Sequence, residues 1–209
     1  SELLAFLEKS GMPAACTLLG LSSLPSSHPQ NVGMLGMHGN YGPNVKNREC
    51  DLLVAIGMRF DDRVTGRVED FGINAKVVHL EIDPSEVNKL IYADVPVIGN
   101  VKETLPMITE RILQGRYDGW LDEFRACYDV EYEKIIREET MPTSGAVRMG
   151  EVVHKISSVV GDSAVMVTDV GQHQMMAARY FKYYNPRSSS TPRGRGTMGY
   201  GLPAARGAK

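Results

Sequence analysis

Arginines 59 and 63 stand four residues apart in the segment GMRFDDRVTG, residues 57–66, directly after an apolar run. A guanidinium is a rigid fork of donors that grips phosphate oxygens in pairs, so two at this spacing could hold a diphosphate. Gly57 ahead of them lets a ligand approach the backbone closely. The competing reading is a surface charge cluster in which both arginines pair with Asp61, Asp62 or Glu69, and the spacing alone does not choose. After the next apolar run comes Glu81-Ile82-Asp83. A carboxylate at a strand end is the usual acceptor for ribose hydroxyls in dinucleotide folds. Asp83 precedes Pro84 and fits a helix cap, which leaves Glu81 for the ligand.

Residues 33–42 hold glycines at 33, 36, 39 and 42, a density that is high for a loop with no partner. His38 between two of them could stack on or hydrogen-bond a flat ligand, though a lone histidine is more often structural. No GxGxxG follows a strand, so a nicotinamide-type site is not supported. Thr168-Asp169-Val170-Gly171-Gln172-His173-Gln174 sets polar groups and a glycine at a strand-to-helix turn, where backbone N–H groups suit phosphate. Gly194-Arg195-Gly196 reads equally as a low-complexity linker, and Met198 as a filler of core gaps.

These groups need strand ends to carry them. Apolar, β-branched runs at 14–19, 52–58, 76–82, 95–98 and 164–168 read as buried strands. Helical spacing falls between them: Val101, Leu105, Ile108 and Ile112 stripe residues 101–114, and an apolar stripe from Trp120 to Ile135 marks 117–138. Further helices are expected at 147–160, from about 172 to 183, after Asp83 and from Leu202. Strands alternating with helices mean parallel pairing and right-handed crossovers, hence an α/β fold with a doubly wound, mostly parallel sheet and helices on both faces. Ligands then collect at the carboxyl ends of the strands. No fixed-period self-similarity supports a solenoid.

The 209 residues suffice for one large domain or one domain plus part of another. Residues 1–140 carry 14 Lys+Arg against 22 Asp+Glu, whereas 141–209 carry 9 against 3, and the change falls in the turn-rich TMPTSG stretch at 140–145. The basic part lacks the interleaved aromatics of a stacking platform, so no nucleic-acid partner is expected. No apolar run reaches a membrane span, and the first residues show no cleavable signal. Three widely spaced cysteines form neither a disulfide framework nor a zinc knuckle, which fits a reducing cytoplasm.

Taken together, TLLGL (17–21), GMLGMHG (33–39), DLLVAIGMRFDDRVTG (51–66), KVVHLEIDPSEVNK (76–89), TDVGQHQM (168–175) and GTMGYGLPAA (196–205) resemble the large, catalytic subunits of the acetolactate (acetohydroxyacid) synthase family of thiamine-diphosphate enzymes. The resemblance covers essentially the whole chain. It implies a central FAD-binding-type domain over 1–116 without its first strand, a linker with a helix at 117–145, and the opening of a thiamine-diphosphate-binding domain at 146–209. It also implies that the activating glutamate and the metal signature lie outside these residues, so that the 209 residues alone form no acetolactate, and that without the first strand and its glycine turn they hold flavin weakly or not at all. FAD contacts carry over to Thr17, Leu18, Met37, His38, Gly39, Gly57, Arg59, Asp61, Arg63, Val64, Glu81, Ile82, Asn100 and Val101. Thiamine-diphosphate contacts carry over to Val170, Gly171, Gln172, His173, Gly196 and Met198, with the methionine pressing on the thiazolium.

The family usually has Asp where Glu81 and Asn100 stand, and small or aliphatic residues where Pro192, Arg193, Arg195 and Arg206 stand. Arg206 falls on a helix expected to be buried, where an unpaired guanidinium costs about 3–5 kcal/mol. The implied chemistry is cofactor-borne condensation of two 2-keto acids, pyruvate with pyruvate or 2-ketobutyrate, with loss of carbon dioxide, towards branched-chain amino acids. Magnesium would accompany the diphosphate, FAD would be structural, and the subunit would form homodimers or higher oligomers, with a possible regulatory small subunit. Alternatives are a related enzyme of the pyruvate oxidase or glyoxylate carboligase type, and a non-catalytic nucleotide-binding module.

Overall fold

The computed structural model describes residues 1–192 and 196–208. Helix α1 (Glu2–Ser10) opens the chain, an element with no counterpart in the sequence expectations. Leu3, Leu4, Phe6 and Leu7 give it an apolar side, and Gly11 ends it in the left-handed conformation, returning its N–H to Leu7 at 2.8 Å. A Cβ on Gly11 would lie 2.5 Å from the carbonyl oxygen of Gly115, so the bare glycine lets the end of α1 touch the loop beyond α4 (Val101–Arg111).

Among the described residues every strand pairing is parallel. Strand β1 (Ala14–Cys16) pairs β2 (Asn31–Met34), and β4 (Lys76–Glu81) lies between β3 (Leu52–Ile56) and β5 (Val95–Ile98). The parallel α/β architecture is therefore present as a two-stranded and a three-stranded piece joined by a shared core. Alternation in β3 and β4 decides the two faces. Val54, Ile56, Val78 and Leu80 point to α1 and α4, packing on Phe6, Leu7 and Leu105. Leu53, Ala55 and Val77 face the opposite way, against Phe60, Phe71, Ile91 and Ala93. Long helices cover only the first face. The connection over the second folds into α3 (Asp62–Thr65) and a 3₁₀ turn (Val68–Asp70), cut short by Gly66 and Gly72 at positive φ.

Several boundaries differ from expectation. Strand β1 stops at Cys16 because Thr17 caps a 3₁₀ turn, accepting from the N–H of Gly20 at 3.1 Å. Strand β2 runs into the start of the glycine-rich segment read as a loop; Gly33 interrupts its alternation because Asn40 Oδ1 occupies the place of a Cβ, 2.5 Å away. The capped start at Asp83 holds, yet the expected helix is one 3₁₀ turn (Pro84–Glu86), after which Val87 is extended and Asn88 left-handed.

Beyond α4 the helical run is α5 (Asp118–Glu131), a π-helical turn (Tyr132–Ile136) and α6 (Arg137–Thr140). Lys46, in α2 (Tyr41–Lys46), ties α2 to α5 through Glu123 at 2.6 Å and lies 5.0 Å over the Trp120 ring. The second unit is α7 (Met149–Val160), β6 (Met166–Val167), α8 (Gln172–Tyr180), β7 (Ser189–Ser190) and α9 (Gly201–Gly207), with β6 and β7 parallel. Strand β7, two serines, carries no apolar signature. Arg206 on α9 is exposed, which corrects the expectation of a buried helix and removes the guanidinium penalty there. Arg193, Gly194 and Arg195, which carry the other two arginine departures and most of the glycine-arginine segment, lie outside the described residues, as does Lys209.

Candidate functional site

The carboxyl ends of β1 to β5 form one contiguous rim. The end of β1 meets the glycine-rich loop where Leu35 N–H donates to the Cys16 carbonyl at 2.9 Å. That loop meets the arginine segment where Met37 N–H donates to the Arg63 carbonyl at 2.8 Å. A Cβ on Gly36 would lie 2.7 Å from the same carbonyl oxygen, and one on Gly39 would lie 2.3 Å from that of Met34. Both glycines are thus required by close backbone approach. Gly57 N–H donates to Leu80 and Gly99 N–H to Glu81, joining the remaining strand ends.

Below the arginine segment lies a buried clamp. Phe60 is 2% exposed and holds φ at +53°, a region that costs a non-glycine residue about 1–3 kcal/mol. Its ring meets His79 edge-on at 4.8 Å and Phe71 at 5.9 Å, and His79 Nε2 bonds the Met58 carbonyl at 2.7 Å. Sinking Phe60 inward turns its neighbours out. Arg59 Nε reaches Asp61 Oδ2 at 3.2 Å, and Arg63 is 71% exposed with Asp62 at 3.7 Å. The local acidic pairing weighed for these arginines is present. Between such exposed groups it is worth only about 0–1 kcal/mol, so it leaves both guanidiniums open to a stronger anion.

Asp61 Oδ1 also caps α3 at Arg63 N–H, 3.1 Å. Glu81 is buried; its Oε1 accepts from the N–H groups of Ile82 (2.8 Å) and Asp83 (3.1 Å), while Oε2 accepts from no described donor. Asp83 serves as the cap, its Oδ1 accepting from Ser85 N–H at 2.9 Å. The Ser85 hydroxyl, which also donates to it, and then that N–H hold its carboxyl below the usual carboxylate value. Asn100 likewise caps α4, accepting from Lys102 N–H at 3.1 Å, and Val101 is the first residue of that helix. Met37, Ile82 and Leu19 leave large apolar surface exposed on the rim, with Leu18 and His38 beside them, and Val64 packs beneath.

A second polar turn joins β6 to α8. Asp169 accepts from Val170 (2.9 Å), Gly199 (2.9 Å) and Gly201 (3.2 Å), which closes 196–201 onto the turn. The N–H of Val170, then those of Gly201 and the loop, hold its carboxyl below the ordinary value. Sequence reasoning left Asp169 without a role, although an acid beside two glycine-rich turns was visible. Gly171 has φ +148°, and a Cβ there would lie 3.1 Å from the His173 ring. First-turn N–H groups of α8, at Gln172 and His173, have no intrahelical acceptor. Gly196 and Met198 flank the loop, Met198 with 81% of its surface exposed. The two groups of residues are tied by Arg179 on α8, whose Nη1 donates to the Gly39 carbonyl at 2.9 Å.

Residues 1–108 match the family described as thiamine pyrophosphate enzyme, central domain, and residues 169–209 match thiamine pyrophosphate enzyme, C-terminal TPP binding domain. The chain is 41% identical, over 97% of its length, to acetolactate synthase of Mycobacterium leprae (strain TN), covering 33% of that protein. It is 39% identical, over 98% of its length, to the acetolactate synthase isozyme 2 large subunit of Escherichia coli (strain K12), covering 36%. It therefore spans about a third of the length of the curated relatives it matches. No helix among the described residues is long and apolar enough to cross a membrane.

Proposed function

The chain belongs to the thiamine-pyrophosphate-dependent enzymes, and from that premise we propose that it supplies the flavin cradle and one wall of the thiamine diphosphate site of an acetolactate synthase large subunit. The reaction assigned is condensation of two 2-keto acids with loss of carbon dioxide. The observation that carries the reading is the Met37–Arg63 backbone bond, which brings the glycine-rich loop and the two-arginine segment to one rim. FAD fits that rim by chemistry. Arg59 and Arg63 offer cations for its diphosphate, Glu81 a free oxygen for a ribose hydroxyl, and Met37 and Ile82 apolar surface for flat rings. Gly57 leaves open space, with nothing within 4 Å of where a Cβ would stand.

Thiamine diphosphate fits the second turn. Free N–H groups at Gln172 and His173 and the dipole of α8 suit its diphosphate, and exposed Met198 is available to pack on the thiazolium. Asp169 holds the 198–201 loop in place for that contact. When bound, thiamine diphosphate supplies the carbon nucleophile that decarboxylates one keto acid and joins it to another. Among the described residues no group of three His, Cys, Asp or Glu stands together as a metal site, and no step is assigned to magnesium here. On this reading the protein is cytoplasmic and assembles as a homodimer or larger oligomer, to which a regulatory small subunit could add.

The test is a flavin titration of the 209-residue chain read by flavin polarisation. FAD binding that ADP competes and that Arg59→Ala and Arg63→Ala each weaken about tenfold supports the cradle. Flavin binding that is indifferent to both substitutions, or that ADP leaves undisplaced, overturns it.

A further inference from the structure

Glu131 at the end of α5 and Arg179 on α8 form an ion pair, the carboxylate side chain 3% and the guanidinium side chain 17% exposed. Three further hydrogen bonds of the pair converge on three consecutive residues, Gly39, Asn40 and Tyr41. Arg179 Nη1 donates to the Gly39 carbonyl at 2.9 Å. Glu131 Oε2 accepts from Tyr41 N–H at 3.0 Å and from Asn40 Nδ2 at 3.3 Å. Asn40 stands at the N-cap of α2 without a side-chain bond to that helix, so the first-turn N–H of Tyr41 finds its acceptor 90 residues away. Asn40 also extends the hold to β2, since its Oδ1 accepts from Met34 N–H at 2.9 Å. Met37 and His38, the exposed tip of the glycine-rich loop, come directly before Gly39. The tip therefore sits between two anchors, the Met37–Arg63 bond on one side and this pair on the other.

Net stability is a poor account of such a pair. Taking a carboxylate and a guanidinium out of water commonly costs as much as their attraction returns, and apolar residues of similar volume often stabilise as well. Apolar residues lack what this pair supplies to the loop, a donor for the Gly39 carbonyl and an acceptor for Asn40 and Tyr41. We infer that Glu131 and Arg179 are positioning residues, which fix the Met37–His38 tip for the flavin by holding Gly39 and the start of α2. The inference rests on the flavin reading of the rim. The pair acts through Gly39, Asn40 and Tyr41, so its loss loosens the tip while the sheet beneath stays intact.

The test compares the 209-residue chain with the double variant Glu131→Leu/Arg179→Met, which leaves neither charge buried alone. Its denaturant midpoint should stay close to that of the unaltered chain. Amide exchange at Met37 and Gly39 should quicken about tenfold, while the amides of residues 77–80 in β4 keep their rates. FAD, read by flavin polarisation, should bind about tenfold more weakly. Arg179→Lys is the second variant: the charge opposite Glu131 stays, the fork that spans Glu131 and Gly39 goes, and the same two amides should quicken. Unchanged exchange at Met37 and Gly39 in both variants overturns the inference. Loosening of β4 in step with the loop overturns it too, since that marks a purely structural pair. So does flavin binding that Arg59→Ala weakens but both variants leave unchanged. Flavin binding that ignores Arg59→Ala and Arg63→Ala strikes the flavin reading instead, and the exchange rates alone then decide the hold on the tip, as they do where flavin binds too weakly to titrate.

Discussion

The main-chain N–H of Met37 donates to the carbonyl of Arg63 across 2.8 Å, and this bond sets the glycine-rich loop against the arginine segment. Gly36 makes the approach possible, because at φ +111° with Arg63 O only 2.7 Å from its Cβ position no side chain fits. Gly36→Ala is expected to cost about 1–3 kcal/mol and to accelerate exchange of the Met37 amide. Gly66→Ala is the comparison: φ is +59° but nothing stands within 4 Å, so only backbone strain applies. Denaturant unfolding and amide exchange should show a smaller loss and an unchanged Met37 amide.

Phe60 trades backbone strain for burial. Phe60→Ala empties the pocket against His79 and Phe71 and is expected to lower stability by about 3 kcal/mol or more. Phe60→Leu keeps much of the volume and should lose roughly half as much. Flavin affinity should fall with the clamp, since Arg59 and Asp61 flank it in sequence.

Glu131 and Arg179 form a buried ion pair that also receives Tyr41 N–H at 3.0 Å. Glu131→Leu leaves a cation unpaired and is expected to destabilise by about 3–5 kcal/mol in thermal or denaturant unfolding. Adding Arg179→Met to that variant should recover much of the loss, because the pair and not either charge is what the interior tolerates.

Two groups predict pH effects of opposite sense. Lys46 is raised above its ordinary value, first by its bond to Glu123 and then by that to Glu49. Its contribution is therefore complete below about pH 10, where the unfolded lysine titrates, and fades as pH climbs through the folded value. Lys46→Met should cost about 1 kcal/mol at neutral pH, since both carboxylates are half exposed, and should change Trp120 fluorescence. Asp169 is lowered, so its hold on the loop is complete above about pH 4 and is lost as acid protonates it below the ordinary carboxylate range. The Gly199 and Gly201 amide resonances should report that midpoint, and Asp169→Asn should abolish the transition.

Parallel strands 52–56 and 76–81 were legible as apolar, β-branched runs that end in glycine or an acid; 95–98 was legible as a strand by the same pattern, but it lies at the sheet edge and is mostly exposed rather than buried. The cap at Asp83 and the helix over 101–111 were legible for local reasons, capping chemistry and a 3.6-residue stripe. Strand β2 was not, since Gly33 and Asn31 serve the neighbouring loops rather than the strand: Asn31 Nδ2 reaches the Pro25 carbonyl at 3.0 Å, and Gly33 yields to Asn40. Nor was β7, whose Ser188 carbonyl and Ser190 carbonyl simply complete the ladder with β6. The arginines, Glu81 and the 170–173 turn stood out by residue type. Phe60, His79 and Asp169, which position them, did not, because their partners are distant in sequence or defined only by backbone conformation. A cavity between the β1–β2 segment, the α5–α6 run and the end of α8 is tertiary throughout, with walls drawn from residues 16 to 183.

The most direct measurement of the central claim is photolabelling of the chain with an azido-FAD, followed by peptide mapping with and without excess FAD. Label protected by FAD and confined to peptides containing 35–39, 57–66 and 81–83 is the predicted result. Label spread over the surface without protection, or concentrated along the α5–α6 seam, would contradict the account.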